Sequence, residues 1–169
     1  MCRKLARASE QRHRAIIMER LLQYIEYTRE MNRMAGKKAM SYEAAADCYY
    51  EHLDYPDSFW IDIEVPEEKE PIGFVQIGTR DNCHPDADWY ICEAYIEKKY
   101  RRQGLMRTVM SEFIQTHPGT YNLFIYDKNE AAKAFWSKLF EEEGYRQVKL
   151  PDIGKKHRGL TQYGYTNKS

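Results

Sequence analysis

Residues 89–113 read WYICEAYIEKKYRRQGLMRTVMSEF, and this stretch predicts the centre of the fold. An apolar and aromatic run, Trp89 to Ile96, has the length and composition of a buried strand. A basic turn follows, and then Leu105, Val109 and Phe113 recur four residues apart, as on one face of a helix. The stretch therefore predicts a strand, a basic turn and a helix in direct succession.

The basic turn has the chemistry of an anion-binding site. A helix start presents unpaired backbone N–H groups and a partial positive charge, and a glycine there lets a phosphate approach the main chain. Gly104 has this place, and Arg101 and Arg102 add charge-assisted donors. A basic turn at a helix start is also common as a solvated connection, so the turn alone leaves both interpretations standing.

Two motifs in order resemble the GNAT family of N-acetyltransferases. The segment Arg101 to Met106 (RRQGLM) is similar to the family's acyl-CoA-binding turn, Q/RxxGxG/A, with Met106 departing from the usual small residue. The segment Asn129 to Tyr145 (NEAAKAFWSKLFEEEGY) is similar to the later NxxAxxFY helix with its closing Gly-aromatic pair. There the departure is Trp136, where many members carry tyrosine.

This resemblance implies an α+β fold of the α/β/α type. The sheet would be mixed, mostly antiparallel and twisted, with helices on both faces and a splayed parallel strand pair forming the acyl-CoA cleft. The resemblance covers about residues 58–165. We expect one domain over residues 1–169, with N-terminal helices in 1–56 and the sheet and acyl-CoA-binding core in 57–169. The family's first strand is not visible, so it is either short and near the start or absent.

Hydrophobic periodicity predicts the other elements. A long helix would begin after Ser9 and end at Gly36, and a second would begin after Ser41 and end before Pro56. Alternation and apolar runs between turn residues predict strands at Phe59–Val65, Ile72–Thr79, Tyr121–Tyr126, Arg146–Leu150 and Leu160–Thr166.

The resemblance also implies acetyl-CoA as cosubstrate and direct transfer to an amine without a metal. Backbone amides near Ile96 would stabilise the thioester oxygen, and the basic turn would hold the pyrophosphate. The cofactor-binding residues carried over are Tyr95, Ile96, Arg101, Arg102, Gln103, Gly104, Leu105, Met106, Asn129, Phe135 and Trp136.

Glu93 is the candidate catalytic base. A carboxylate in an apolar strand is costly unless it is paired or functional, and burial raises its pKa towards a range suited to deprotonating an amine. The alternative is a carboxylate on the wet face of the sheet or in an ion pair. Asp88 and Glu97, at the two ends of the same strand, are weaker candidates of this kind.

A catalytic acid would have to be a residue other than the family's tyrosine, and the alternative is that no acid is needed, because a thiol with a pKa of about 8.5 also leaves unprotonated. An indole N–H donates a hydrogen bond but does not protonate a leaving thiolate, so Trp136 cannot take this role. Tyr126 is the candidate, with Tyr163 and Tyr165 as alternatives. His84 is expected to be an exposed loop residue, with contact to the substrate as the alternative.

Composition narrows the function classes. The 26 basic and 26 acidic residues balance to a net charge of zero, which argues against nucleic acid or an anionic membrane as partner. The four cysteines form no CxxC pair, so neither a zinc site nor a disulfide framework is indicated, and we expect a cytoplasmic protein. No apolar run approaches the roughly 20 residues of a membrane span.

Two functions remain on the sequence alone. The first is an acetyl-CoA-dependent N-acetyltransferase acting on a primary amine. The acidic residues Asp81, Asp86 and Asp88 favour a cationic acceptor such as a polyamine, an aminoglycoside or a protein lysine. The second is a catalytically degenerate acyl-CoA-binding sensor or interaction module, motivated by Met106 and Trp136. The acceptor, the acyl chain length and the choice between monomer and homodimer are left undecided by the sequence.

Overall fold

The computed structural model describes residues 5–7, 23, 25–33, 36, 38, 41, 58–79, 84–151 and 159–168. The strands are β1 (Leu5–Arg7), β2 (Ser58–Ile63), β3 (Gly73–Thr79), β4 (Trp89–Ile96), β5 (Thr120–Tyr126), β6 (Arg146–Val148) and β7 (Leu160–Thr166). The helices are α1 (residues 25–33), α2 (Leu105–Thr116) and α3 (Glu130–Glu142), and a 3₁₀ turn covers Lys98–Tyr100.

The described strands form one seven-stranded sheet in the order β1-β2-β3-β4-β5-β7-β6. Every neighbouring pair is antiparallel except β4 and β5, which run parallel. The predicted mixed, mostly antiparallel sheet is therefore confirmed. The first strand is short and near the start: β1 pairs with Phe59 to Ile61 of β2. Three residues are too few for a periodic pattern to reveal a strand.

The parallel pair separates after a few residues. β4 and β5 are paired from Trp89 opposite Tyr121 to Ile91 opposite Leu123, and beyond this both strands continue unpaired with each other. At the same level the register of β4 against β3 shifts, which leaves Cys92 as an extra residue. A bulge bends the strand that carries it. The divergence of β4 from β5 therefore begins at the bulge, and it forms the predicted cleft.

Helices cover both faces of the sheet. On one face the apolar sides of α2 and α3 pack on inward residues of the central strands. The buried members of this core include Val75, Ile77, Ile91, Leu123, Val109, Met110, Phe113, Ile114, Leu139 and Phe140. On the other face α1 lies against β4 and β5, because Tyr95 donates a hydrogen bond to Gln23 and Tyr126 donates one to Asn32. The α/β/α layering is thus confirmed.

Most predicted boundaries hold to within two residues. β2 ends at Ile63 rather than Val65, because the chain turns there and Glu68 N–H donates to the Val65 carbonyl. β6 ends at Val148 rather than Leu150. Gly36 follows α1 with a φ of 69°, in agreement with the predicted helix end. The helix predicted after Ser41, and the first part of the helix predicted after Ser9, lie outside the described residues.

Candidate active site

The basic turn places unpaired backbone N–H donors at the start of α2. Gly104 precedes α2 with a φ of 80°, and Arg102 has a φ of 65°, so the main chain bends twice through the left-handed region. No side chain caps α2, and no acidic residue stands in its first turn. The first N–H groups of α2 have no helical partner and are directed outward. The predicted succession of strand, basic turn and helix is therefore present, with the first amides of α2 beside the turn.

A cavity of about 620 Å³ lies beside this turn, between the C-terminal end of β4 and the start of α3. Its size suits a small-molecule cosubstrate. The predicted cofactor residues that line it are Tyr95, Ile96, Arg101, Arg102, Gly104, Leu105, Met106, Asn129, Phe135 and Trp136. Gln103 is the exception: its side chain is exposed and donates to the Lys99 carbonyl at 3.1 Å, so it stabilises the turn from outside. We call this space the larger cavity.

The end of β4 presents main-chain groups to the larger cavity. Glu97 N–H donates to the Ile72 carbonyl on the β3 side at 2.9 Å. Because backbone groups alternate between the two sides of a strand, those of Ala94 and Ile96 are directed to the side from which β5 has diverged. The Ile96 carbonyl there accepts a hydrogen bond from Arg101 Nε at 2.9 Å. Arg101 therefore anchors the turn to β4.

A second cavity, of about 100 Å³, lies between the diverging parts of β4 and β5. We call it the smaller cavity. Glu93 and Tyr126, the two predicted catalytic residues, both line it. Glu93 is half-buried, and desolvation raises the pKa of its carboxyl from 4.5 to about 8. The structure therefore favours a place in the cleft for Glu93 over the wet-face alternative.

The two cavities share a wall. The described residues that line both are Tyr27, Ala94, Asn129, Ala132 and Trp136. Asn129 caps α3, with its side-chain oxygen accepting from Ala132 N–H at 3.1 Å. Its side-chain nitrogen donates to the Tyr27 hydroxyl at 2.9 Å. The basic turn and the Glu93 carboxyl thus lie on opposite sides of the wall that these residues form.

Arg101 and Trp136 are both held by aromatic packing. The Arg101 guanidinium lies 5.3 Å from the centre of the Tyr27 ring and 5.9 Å from that of Tyr95. Trp136 is buried and contacts the Phe135 ring edge-on at a centroid distance of 4.9 Å. The indole therefore serves as a packed wall of the cleft, in the place of the family's tyrosine.

Comparison with known proteins identifies the family. A model described as "Acetyltransferase (GNAT) family" matches residues 18–140. The chain belongs to the GNAT acetyltransferase family. Membership supports acyl-CoA-dependent acyltransferase activity, with an acyl-CoA and an acceptor as substrates. A search of curated protein sequences found no match.

Solved GNAT structures share the fold of this chain. An acetyltransferase from Staphylococcus aureus has a TM-score of 0.59 and 17% identity, covering 89% of this chain and 92% of its own. An acetyltransferase from Thermus thermophilus has a TM-score of 0.56 and 21% identity, covering 85% and 87%. An acyl-CoA N-acyltransferase from Klebsiella pneumoniae has a TM-score of 0.55 and 16% identity, covering 97% and 96%. At these identities the likeness concerns the fold.

The other predicted tyrosines lie apart from the shared wall. Tyr126 lines only the smaller cavity, and its hydroxyl donates to Asn32 at 3.2 Å. The buried Tyr165 has its hydroxyl 3.0 Å from that of Ser137. Neither Tyr163 nor Tyr165 lines either cavity of this GNAT site.

The prediction that His84 is exposed is wrong. The side chain is fully buried, with Nε2 2.8 Å from the Pro151 carbonyl and Nδ1 accepting from Asp86 N–H at 3.0 Å. An accepting Nδ1 places the ring proton on Nε2, so the Pro151 carbonyl accepts from it. Both polar atoms are satisfied by main-chain groups, which offsets the cost of removing the ring from water. His84 joins its loop to the chain after β6.

The weaker candidates for the catalytic base, Asp88 and Glu97, line neither cavity. The Asp88 carboxylate accepts from Thr120 N–H at 2.8 Å and from Lys168 at 2.6 Å, and so connects the start of β4 to β5 and the end of β7. Glu97 is buried at the opposite end of β4, and neither residue lines either cavity. Because Asp88 is paired with Lys168, it does not support the predicted cationic acceptor site. Asp86 is exposed, and Asp81 lies outside the described residues.

Helix α1 contributes two residues to the cleft that the sequence motifs did not indicate. Tyr27 lines both cavities, and Met31 lines the larger one. The two lie four residues apart, on one face of a helix. This spacing was visible in the sequence, although nothing local indicates that the face lies against a motif about a hundred residues later.

Among the residues that the structure describes, no helix has both the length and the apolarity that a membrane crossing requires. Within the same ranges, no group of three or more His, Cys, Asp or Glu side chains has the arrangement of a metal site.

Proposed function

We propose that this GNAT acyltransferase transfers an acetyl group from acetyl-CoA to a primary amine by direct attack of the amine on the thioester. The observation that carries the proposal is the shared wall, which places the anion-binding turn on one side and the desolvated Glu93 carboxyl on the other. A direct transfer needs the donor and the proton acceptor on either side of one reacting centre.

The larger cavity fits the donor. The amides at the start of α2 and the charges of Arg101 and Arg102 suit a pyrophosphate, and no acidic side chain in the first turn of α2 opposes it. The apolar walls from Leu105, Phe135 and Trp136 suit a pantetheine arm. The main-chain amides of Ala94 and Ile96 are the donors that would stabilise developing charge on a thioester oxygen.

The smaller cavity fits the acceptor end. A carboxylate with a pKa near 8 is a stronger base than an ordinary one, and Glu93 would take a proton from the acceptor ammonium. A volume of about 100 Å³ admits a short acyl group and the end of an amine, but not a bulky substituent. This size favours acetyl over long acyl chains, and a primary amine over a hindered one.

The acceptor is proposed as a cationic small molecule or a protein lysine. Pairing of Asp88 with Lys168 removes one of the three loop acids from the argument, and Asp86 remains exposed. Glu93 supplies the negative charge nearest the reacting centre once it is ionised. We further propose a cytoplasmic location, where acetyl-CoA and amines are both available.

The proposal is tested by a thermal-shift titration with acetyl-CoA beside desulfo-CoA, followed by thiol release with a panel of amines. The panel contains spermidine, a lysine peptide, an aminoglycoside and an arylamine. Stabilisation by both ligands that grows with concentration, as linkage requires, together with thiol release for one amine class, is the expected result. Absence of any stabilisation would overturn the proposal.

A second candidate function is an acyl-CoA sensor without turnover. Trp136, packed where the family's tyrosine stands, and Met106, at the usual small position, favour it. The same experiment separates the two functions, because a sensor would be stabilised by acetyl-CoA and release no thiol with any amine. Amine-dependent thiol release that is lost in a Glu93→Gln variant would exclude the sensor.

A further inference from the structure

The reacting centre has to lie at the wall that the two cavities share. This follows from the proposed function, because the donor is held by the turn in the larger cavity and the base stands in the smaller one. The chemistry of the shared residues can then be compared one by one. Among the described residues this wall consists of Tyr27, Ala94, Asn129, Ala132 and Trp136.

Of these shared residues, one can release a proton. The alanines have no polar side-chain atom, the Asn129 amide and the Trp136 indole donate hydrogen bonds without losing the proton, and the Tyr27 phenol is an acid. We propose that Tyr27, supplied by α1, is the catalytic acid that protonates the departing thiolate. It would replace the tyrosine whose position Trp136 occupies.

The surroundings of Tyr27 orient the phenol for this role. Asn129 donates to the phenolic oxygen at 2.9 Å, so the phenol's own proton is directed away from Asn129. The Arg101 guanidinium lies 5.3 Å from the ring centre, and Arg101 is itself tied to the Ile96 carbonyl. The Asn129 amide is thus a fixed hydrogen-bond donor to the phenolic oxygen, and the Arg101 guanidinium packs on the face of the ring.

Proton transfer from Tyr27 completes the exchange of the thioester for an amide. The amine nitrogen bonds to the thioester carbonyl carbon, and the carbon–sulfur bond breaks with its electron pair on sulfur. Tyr27 gives its phenolic proton to that sulfur and is reprotonated from water. Glu93 takes one proton from the ammonium before attack and releases it to water, and the proton that the new amide nitrogen then loses passes through water and restores the Tyr27 phenol. Overall, one ammonium and one thioester become one amide, one thiol and one proton released to water.

Tyr126 fits this role less well. It lines the smaller cavity but not the larger one, and its hydroxyl donates its proton to Asn32 on α1. Tyr126→Phe therefore tests the rival acid, since it removes the other phenolic oxygen of the cleft and one hydrogen bond to the same helix. The control is Tyr90→Phe, at a half-buried position of β4 that lines neither cavity.

The test compares two donors, acetyl-CoA and acetyl-seleno-CoA, with the panel amine that gives the highest turnover. A selenol is far more acidic than a thiol, so its anion leaves without a proton. We expect Tyr27→Phe to lower kcat with the thioester about 100-fold or more. KM for acetyl-CoA should change little, and the loss should vanish with the selenoester. Tyr90→Phe should keep kcat with both donors, and Tyr126→Phe should show no loss that is confined to the thioester.

Four outcomes would overturn the assignment. Equal losses with both donors would make Tyr27 a positioning residue, and an unchanged kcat with the thioester would leave it without a role. A loss of kcat in Tyr126→Phe that occurs with the thioester and not with the selenoester would instead assign the acid to Tyr126 on β5. Failure of the wild-type chain to turn over either donor would overturn the proposed function itself, and the role of Tyr27 with it.

Discussion

Gln76 lies directly opposite Glu93 in the β3–β4 ladder, immediately before the register shifts at the bulge. Opposite residues of an antiparallel pair project to the same face of the sheet, and Gln76 is fully buried. The pairing register of β4 with β3 therefore directs Glu93 towards the interior, although a carboxylate by itself is more stable in water. Its raised pKa is a consequence of this position in the sheet.

Glu93→Gln should lower kcat about 100-fold or more, because the amide cannot accept a proton. The kcat/KM of the wild type should rise with pH through about 8, as the carboxyl of Glu93 ionises. Rates measured from pH 6 to 10 test this, with Glu97→Gln as a control outside both cavities. A rise of the same size and position in Glu93→Gln would contradict the assignment.

The same carboxyl makes stability depend on pH. Its pKa is about 8 in the folded chain and 4.5 as an ordinary value, so between these values the unfolded chain has lost the proton and the folded chain keeps it. The free energy of unfolding should therefore fall as pH rises through this window and level off above it. Melting temperatures of the wild type and Glu93→Gln should diverge across the window. Parallel curves would refute the raised pKa.

Gly104→Ala should separate backbone strain from cosubstrate binding. Gly104 and Gly144 have φ values of 80° and 79°, and a Cβ at either meets nothing within 4 Å. Each alanine variant should thus lose about 1 kcal/mol of unfolding free energy from the left-handed backbone alone. Gly104 lines the larger cavity, so its variant alone should bind acetyl-CoA more weakly, as calorimetry would show. Equal affinities would argue against close approach of a phosphate there.

Arg102 offers a comparison of charge with conformation. Its φ is 65°, a region that glycine adopts freely and that alanine, like arginine, adopts only with strain. Arg102→Ala and Arg102→Gly should both raise the Kd for acetyl-CoA about tenfold, because each removes one charge-assisted contact. The glycine variant should be more stable than the alanine variant. The affinity difference from wild type should shrink at high salt, and a salt-independent difference would point to a loss other than charge.

Trp136→Tyr should restore a phenol at the shared wall. In a Tyr27→Phe background, this substitution should recover part of kcat with acetyl-CoA, whereas Trp136→Phe should recover none. The cost is lost packing of a buried side chain, about 1 to 2 kcal/mol of unfolding free energy. Steady-state rates of the two double variants provide the test. Equal rates would show that the phenol at position 136 contributes no proton.

His84→Ala should destabilise the chain without changing kcat. The substitution leaves the Pro151 carbonyl and the Asp86 N–H without the buried ring that now pairs them, which should cost about 2 kcal/mol or more. Denaturant unfolding measures the loss, and His84→Gln should lose less because its amide can replace one contact. A change in kcat with unaltered stability would place His84 in catalysis.

Much of the cofactor side of the cleft was predictable from local sequence. Strand β4, the turn and α2 follow one another without interruption, so their relative placement depends on contacts close in the chain. The same is true of Asn129, whose side chain caps the helix it precedes. Ten of the eleven predicted cofactor residues consequently line one cavity, and Gln103 is excluded because its side chain turns back to Lys99.

The acceptor side was predictable only in part. Glu93 stood out because a carboxylate in an apolar strand is costly, but its direction depends on a bulge that places one extra residue in β4. Bulges change which face each later side chain occupies, and the sequence of a single strand does not mark them. His84 was misplaced for a similar reason, because its burial depends on a carbonyl 67 residues away.

The sequence by itself determined the order of the central elements, the anion-binding turn and the family resemblance, because periodicity, glycine at a helix start and charge act over a few residues. Only the tertiary structure decided that β1 pairs with β2, that β4 and β5 separate after Ile91, and that Tyr27 meets Asn129. The last contact joins residues 102 positions apart. Such a meeting is set by how α1 packs on the sheet, and the free energy of that packing belongs to the whole fold.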